Sequence, residues 1–148
     1  MHSKIKMYLS AGALVSDHIE DDPFIHVCGT DSDLVESFLK QKDTKIMETG
    51  IIAGANGILP TWAGYKGYAP GVCLLAETLP PLPMMNIDPR ASKALVTLLI
   101  NYFNIDMNFD ELDRKIDEME SIFDDFKKQA DFMMQPRDSD RGTDSYFR

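Results

Sequence analysis

"PGVCLLAET", Pro70–Thr78, is the stretch on which the fold class turns. From Val72 to Ala76 it is continuously apolar, and it meets an acidic residue, Glu77, only at its end. A strand with one wet face alternates apolar and polar side chains, whereas a strand covered on both faces does not. The run therefore predicts a buried strand of a mostly parallel sheet, and with it an α/β domain.

The segments around it fit that frame. Upstream, "GIIAGANG" (Gly50–Gly57) places a short apolar run before Gly54 and Gly57, which predicts a strand end turning toward "ILPTWAGY". "FIHVCG" (Phe24–Gly29) follows the breaker "DDPF" and predicts another buried strand. After it, Thr30 is placed to cap a helix with Asp33 as the reciprocal acid, its apolar face formed by Leu34, Val35, Phe38 and Leu39 and its end near Gln41. "KIKMYLSAGALV" (Lys4–Val15) predicts a strand running into a glycine-bearing turn.

Downstream, the prolines of "LPPLPMMNID" remove amide donors and predict irregular chain. Asp88 then offers a carboxylate to the free amides of a new helix. Pro89 stands at the first helical position, where a missing amide costs nothing. The helix carries Ala91, Ala94, Leu95, Leu98, Leu99 and Tyr102 and is expected to stop by "NIDMN". A last helix begins at a second cap, Asn108 with Glu111. Its apolar residues Phe109, Leu112, Ile116, Met119, Phe123 and Phe126 step by three and four, a narrow seam amid Asp, Glu and Lys. Such a seam packs on another helix, either a copy from another subunit or the preceding helix of the same chain. We expect one α/β domain over residues 1–134 and a flexible tail over 135–148, whose composition is that of a linker tipped by aromatics.

Composition bounds the function. With 24 acidic and 15 basic residues the net charge is -9, and no basic run is long enough to track a phosphate backbone. Nucleic acid and anionic membranes are thus poor partners, no stretch has the length of a spanning helix, and a cytoplasmic location is expected. Cys28 and Cys73, the two cysteines, lie in apolar runs and read as small core residues. His2, His18 and His26 are scattered, so no metal site is expected, and Ser10 and Ser92 lack a nucleophile elbow. Gly54 and Gly57 lack the further residues of a dinucleotide or phosphate loop. Glu77 and Asp88 flank the proline-rich segment, and a carboxylate pair at a sheet edge can divide acid and base work. An enzyme or nucleotide-binding reading built on Gly54, Gly57, Glu77 and Asp88 therefore stands as the alternative, and helix capping is the plainer role for Asp88.

The stretches "GIIAGANGILPTWAGYKGYAPGVCLLAET", "IDPRASKALVTLLINYF" and "IDMNFDELDRKIDEME" together resemble the carboxyl-terminal part of the proteasome-assembly-chaperone family, known from archaea and related to eukaryotic assembly factors. The resemblance spans about Lys4 to Ala130 and rests on Gly54, Gly57, Glu77, Asp88 and Pro89 with the later Asp/Leu helix. It implies a fold similar to that of purine nucleoside phosphorylase, no cofactor, no catalysis, and a homo-oligomer acting on the proteasome. Typical members are longer, so a shortened amino-terminal portion and an exposed sheet edge are expected. Some proteasome partners end in a hydrophobic residue, a tyrosine and a final residue whose carboxylate enters a pocket of the outer ring. Tyr146-Phe147-Arg148 is similar to that ending, except that Phe147 lacks the phenolic hydroxyl. The resemblance thus implies core-particle outer-ring subunits as partners. An oligomeric scaffold unrelated to proteasomes is the remaining alternative.

Overall fold

The computed structural model describes residues 5–16, 22–78 and 88–106, together with Asp110, Asp113, Arg114, Asp117, Glu118, Glu120, Ser121, Ile122, Asp124, Asp125 and Lys128. In chain order the elements are β1 (Tyr8–Val15), β2 (Ile25–Gly29), α1 (Ser32–Leu39), β3 (Thr44–Ile46), α2 (Ala55–Tyr65), β4 (Gly71–Thr78) and α3 (Pro89–Phe103). They build a four-stranded sheet in the order β1-β4-β2-β3. β1 pairs with β4 in parallel, as β3 does with β2, and only β2 and β4 run antiparallel.

β4 is an interior strand with helices on both faces, which is why its sequence is apolar without alternation: every residue from Gly71 to Glu77 is buried. Val72, Leu74 and Ala76 join Ile25 and Val27 of β2 under α1 and α3, and this is the main core. Cys73 and the residues alternating with it face the other way, toward α2, which rests on β1 and β4.

α3 starts as its sequence indicates. Asp88 Oδ1 accepts the amides of Arg90 at 3.0 Å and Ala91 at 3.3 Å, and Pro89 is the first helical residue. Asn104, at φ 50°, closes the helix in the left-handed region. α3 inserts Ala91 and Leu98 into the core, and its Tyr102 stacks on Phe38 of α1 at 3.8 Å between ring centroids. The Tyr102 hydroxyl shares a 2.8 Å hydrogen bond with Ser37 Oγ.

Four local expectations are corrected. The α1 cap is Asp31, whose Oδ1 accepts the Leu34 amide at 2.8 Å, and α1 ends at Leu39. Thr30, one residue earlier, instead accepts the Gly71 amide through its hydroxyl at 2.9 Å and continues the β2–β4 pairing. Gly12 lies inside β1, with no turn there, and β3 has no counterpart in the sequence reading. Residues 51–53 form no strand, and the segment after Gly54 is the helix α2. Its interior Pro60 leaves the Asn56 carbonyl without its usual helical donor. Ser10 of β1 supplies the substitute, its hydroxyl donating to that carbonyl at 2.7 Å.

Candidate functional site

The two glycines singled out in the sequence act on α2. Gly54 is its amino-terminal cap at φ 76°, a left-handed conformation that a side chain would strain. A Cβ on Gly57 would lie 2.6 Å from the Ile52 carbonyl oxygen, so the glycine permits that close approach. Between them, Asn56 donates from Nδ2 to the Ala11 carbonyl at 3.2 Å. The turn thereby fastens the start of α2 to the outer strand of the sheet.

Glu77 and Asp88 are not brought to one crevice. Glu77 points to the α2 face of the sheet, beyond the reach of the helix, whereas Asp88 accepts a 3.1 Å hydrogen bond from Thr78, the next residue along the strand and so on the opposite face. Each carboxylate has its own fold contacts. Those of Asp88 are the cap amides, Thr78 and Arg90 Nε at 3.6 Å.

Glu77 is 8% exposed and holds two side-chain partners, Lys45 of β3 and His26 of β2. Lys45 Nζ lies 2.7 Å and His26 Nε2 2.9 Å from Oε1, and the Phe24 amide donates to Oε2 at 3.3 Å. Burial pushes the Glu77 carboxyl up, but the hydrogen bonds from Lys45, His26 and the Phe24 amide outweigh it and hold the group below the ordinary glutamate range. Lys45 also lies over the Phe24 ring at 4.5 Å. This cluster closes the sheet face over β2 and β3 where α2 does not cover it. Sequence reasoning missed it because Lys45 sits on an unrecognised strand, and only the strand order sets it beside Glu77.

Cys28 and Cys73 stand opposite one another in the β2–β4 register, both as free thiols. Burial pushes the Cys28 thiol up, and Cys73 beside it adds to the effect, which disfavours the reactive thiolate. No group of three or more metal-ligating side chains occurs among the described residues. None of the described helices is long and apolar enough to cross a membrane.

The most conspicuous surface is the outer side of α2. Ile58, Leu59, Trp62 and Tyr65 are 49–83% exposed, and Ile51 and Tyr68 flank them at 96% and 57%. Beside the helix a shallow groove of about 600 Å³ runs along Gly50, Ile52, Ile58, Thr61, Trp62 and Tyr65.

The seam residues Phe109, Leu112, Ile116, Met119, Phe123 and Phe126 lie outside the described residues, as do Tyr146, Phe147 and Arg148. The described positions from Asp110 to Lys128 are all helical, and Arg114 pairs with Glu118 one turn on at 3.1 Å.

Comparison with known proteins places this architecture. The family model described as the PAC2 family matches residues 1–127. The chain belongs to the PAC2 family. No curated protein matches the PAC2 chain. Its fold is similar to that of Pyrococcus furiosus PbaB, an archaeal proteasome activator, with a TM-score of 0.68 and 22% identity over 82% of this chain and 51% of that one. PbaA of the same organism, an archaeal homolog of proteasome-assembly chaperone, aligns with a TM-score of 0.64 and 20% identity over 86% and 55%. A proteasome-assembly chaperone homologue of Mycobacterium tuberculosis aligns at 0.58 and 13% over 92% and 51%. The PAC2 chain thus spans about half the length of these solved relatives. The α/β sheet between helices is the shared feature, and the resemblance read from Gly54 through the Asp88 helix agrees with the family assignment.

Proposed function

We propose that this PAC2 chain is a noncatalytic, homo-oligomeric chaperone of proteasome assembly that docks its carboxyl terminus on the core-particle outer ring. The observation that carries the reading is the family match over residues 1–127. The geometry supports it as well: the residues on which an enzyme would have been built, Gly54, Gly57, Glu77 and Asp88, each serve a turn, an ion cluster or a helix cap. The net charge of -9 favours partners with complementary positive surface and disfavours others.

In this reading Phe147 is the anchor, because its ring buries the largest apolar area of the tip. Tyr146 makes the adjacent contact, and Arg148 contributes chiefly its carboxylate. A short peptide loses conformational entropy on docking, so several tails on one oligomer bind far better than one. Titration of immobilised proteasome rings tests the assignment. Phe147→Ala is expected to weaken binding severely, while Phe147→Tyr preserves or strengthens it by restoring a hydroxyl. Equal affinities for all three chains would remove Phe147 from the contact.

A further inference from the structure

Cys28 and Cys73 are the chain's two cysteines, and the strand order sets them directly opposite one another on β2 and β4. Along the same pairing the Glu77 amide donates to the Phe24 carbonyl and the Thr30 amide to the Gly71 carbonyl, each at 2.9 Å. Counted in steps of two along the ladder, Cys28 and Cys73 are therefore a hydrogen-bonded pair as well. Opposed residues point to one face of a sheet, here the face under α2. Both cysteines line a single cavity of about 180 Å³ there, together with Gly57, Pro60 and Thr61 of that helix. The Cys28 thiol donates toward the Cys73 carbonyl oxygen at 3.9 Å, so it leans across the ladder to its partner.

We infer that Cys28 and Cys73 are an oxidation site, a dithiol that a small peroxide converts to a cross-strand disulfide. A hydrogen-bonded antiparallel pair holds its Cα atoms ~5.5 Å apart, inside the roughly 4.4–6.8 Å that a disulfide spans. The bond thus needs only a slight closing of the pair. Metal binding is the other use of paired thiols, but the remaining polar side chains on the cavity wall are the hydroxyls of Thr30 and Thr61. A structural metal takes four nitrogen or sulfur donors, and no group of three ligating side chains occurs among the described residues. Cys73 is 3% exposed and Cys28 is half-buried, so Cys28 meets the oxidant first. Its thiolate attacks one peroxide oxygen and breaks the O–O bond. Cys28 becomes a sulfenic acid, and the other oxygen leaves as hydroxide and takes up a proton to form water. The Cys73 thiolate then attacks the Cys28 sulfur, and the sulfenic oxygen leaves as a second water. The two thiols lose two electrons to the peroxide, and their protons end in the two waters. Burial, and Cys73 beside it, push the Cys28 thiol up, so the thiolate is scarce at neutral pH and the first step is slow. The pair closes under sustained oxidant and is silent otherwise. The bond ties β2 to β4 around α1, β3 and α2, which restrains the unfolded chain. None of these steps involves the tail or the terminal helix, so the inference stands apart from the proposed role at the proteasome.

With two cysteines in the chain, thiol titration reads the pair without interference. The dilute full chain is incubated with hydrogen peroxide, then denatured, titrated and weighed as the intact protein. Both thiols are expected to disappear together, with a mass lower by two hydrogens and no linked chains, and dithiothreitol is expected to restore them. The oxidised chain is expected to unfold at higher urea than the reduced one. In Cys73→Ala the Cys28 sulfenic acid has no resolving thiol, and dimedone is expected to trap it. In Cys28→Ser dimedone labelling is expected to be at least about tenfold lower, because Cys73 is buried. The wild-type measurement does not depend on either variant's folding. A wild-type chain that keeps both thiols, links only to other chains, or is oxidised beyond recovery by dithiothreitol overturns the inference.

Discussion

α2 and α3 lie on opposite faces of β4 and solve the problem of covering it in different ways. α3 is amphipathic: Ala91 and Leu98 point into the core, Ser92 and Lys93 point outward, and Asp88 and Asn104 close its ends. Of its large apolar side chains only Phe103, at the last position, is substantially exposed. α2 has no side-chain cap, contains a proline and two glycines, and shows large apolar side chains to solvent. Small residues on its inner side give close contact with the sheet, but they leave the outer side chains without work in the single chain. The difference separates a helix that buries one apolar face in the core from one that leaves Ile58, Leu59, Trp62 and Tyr65 about half exposed or more.

The contrast is broken most severely from the α3 side. Phe38 is fully buried and stacked on Tyr102, so Phe38→Ala is expected to destabilise the chain by about 3–5 kcal/mol in urea unfolding. A loss under ~1 kcal/mol would mean that α3 does not form the core described here.

Glu77 tests how the sheet is finished where α2 does not reach. Glu77→Gln replaces hydrogen bonds to a charged acceptor and is expected to cost roughly 1.5–3 kcal/mol at neutral pH. Because the folded-state pKa of Glu77 lies below its unfolded value, the stabilisation is fully present above the unfolded pKa and is lost as pH falls through the folded one. The stability gap between wild type and variant is therefore expected to shrink as pH falls below the ~4.3 of an ordinary glutamate. A gap that stayed constant down to pH 2 would assign the effect to shape and not to charge.

Smaller effects are expected at the helix surfaces. Asp88→Ala removes the acceptor of two amides and is expected to cost about 0.5–2 kcal/mol, with tail-mediated binding retained in the folded protein. Tyr65→Ala on the outer side of α2 is expected to change stability by under ~0.5 kcal/mol when measured at concentrations where the chain is monomeric. A larger loss there would place Tyr65 in the fold and weaken the contrast.

Much of the architecture was legible because local rules decide it. The unbroken apolar run of β4 reported burial on both faces, and Asp88-Pro89 marked a helix start to the residue. No helix was legible over α2, because Gly57, Pro60 and Gly64 all oppose one locally, and the strand end expected before Gly54 does not form. It is held by contacts distant in sequence, among them Ser10 with Asn56 and Asn56 with Ala11. β3 is three residues long and two of them, Thr44 and Lys45, are polar, so it is too short for alternation to show. Of the candidate site, Gly54 and Gly57 were recognised as a close turn, but the pairing of Glu77 with Lys45 and His26 needs the strand order, which no local pattern encodes. The terminal seam and tail remain readings of spacing and resemblance.

Within the proposed function, docking on the ring is assigned to the last three residues. Pull-down of proteasome core-particle subunits by the full chain and by a chain lacking Tyr146–Arg148, with mass and circular dichroism measured on both, addresses it directly. We predict that the full chain retains the ring and the shortened chain does not, with fold and oligomer size the same. Equal retention of the ring by both chains would contradict docking through the tail.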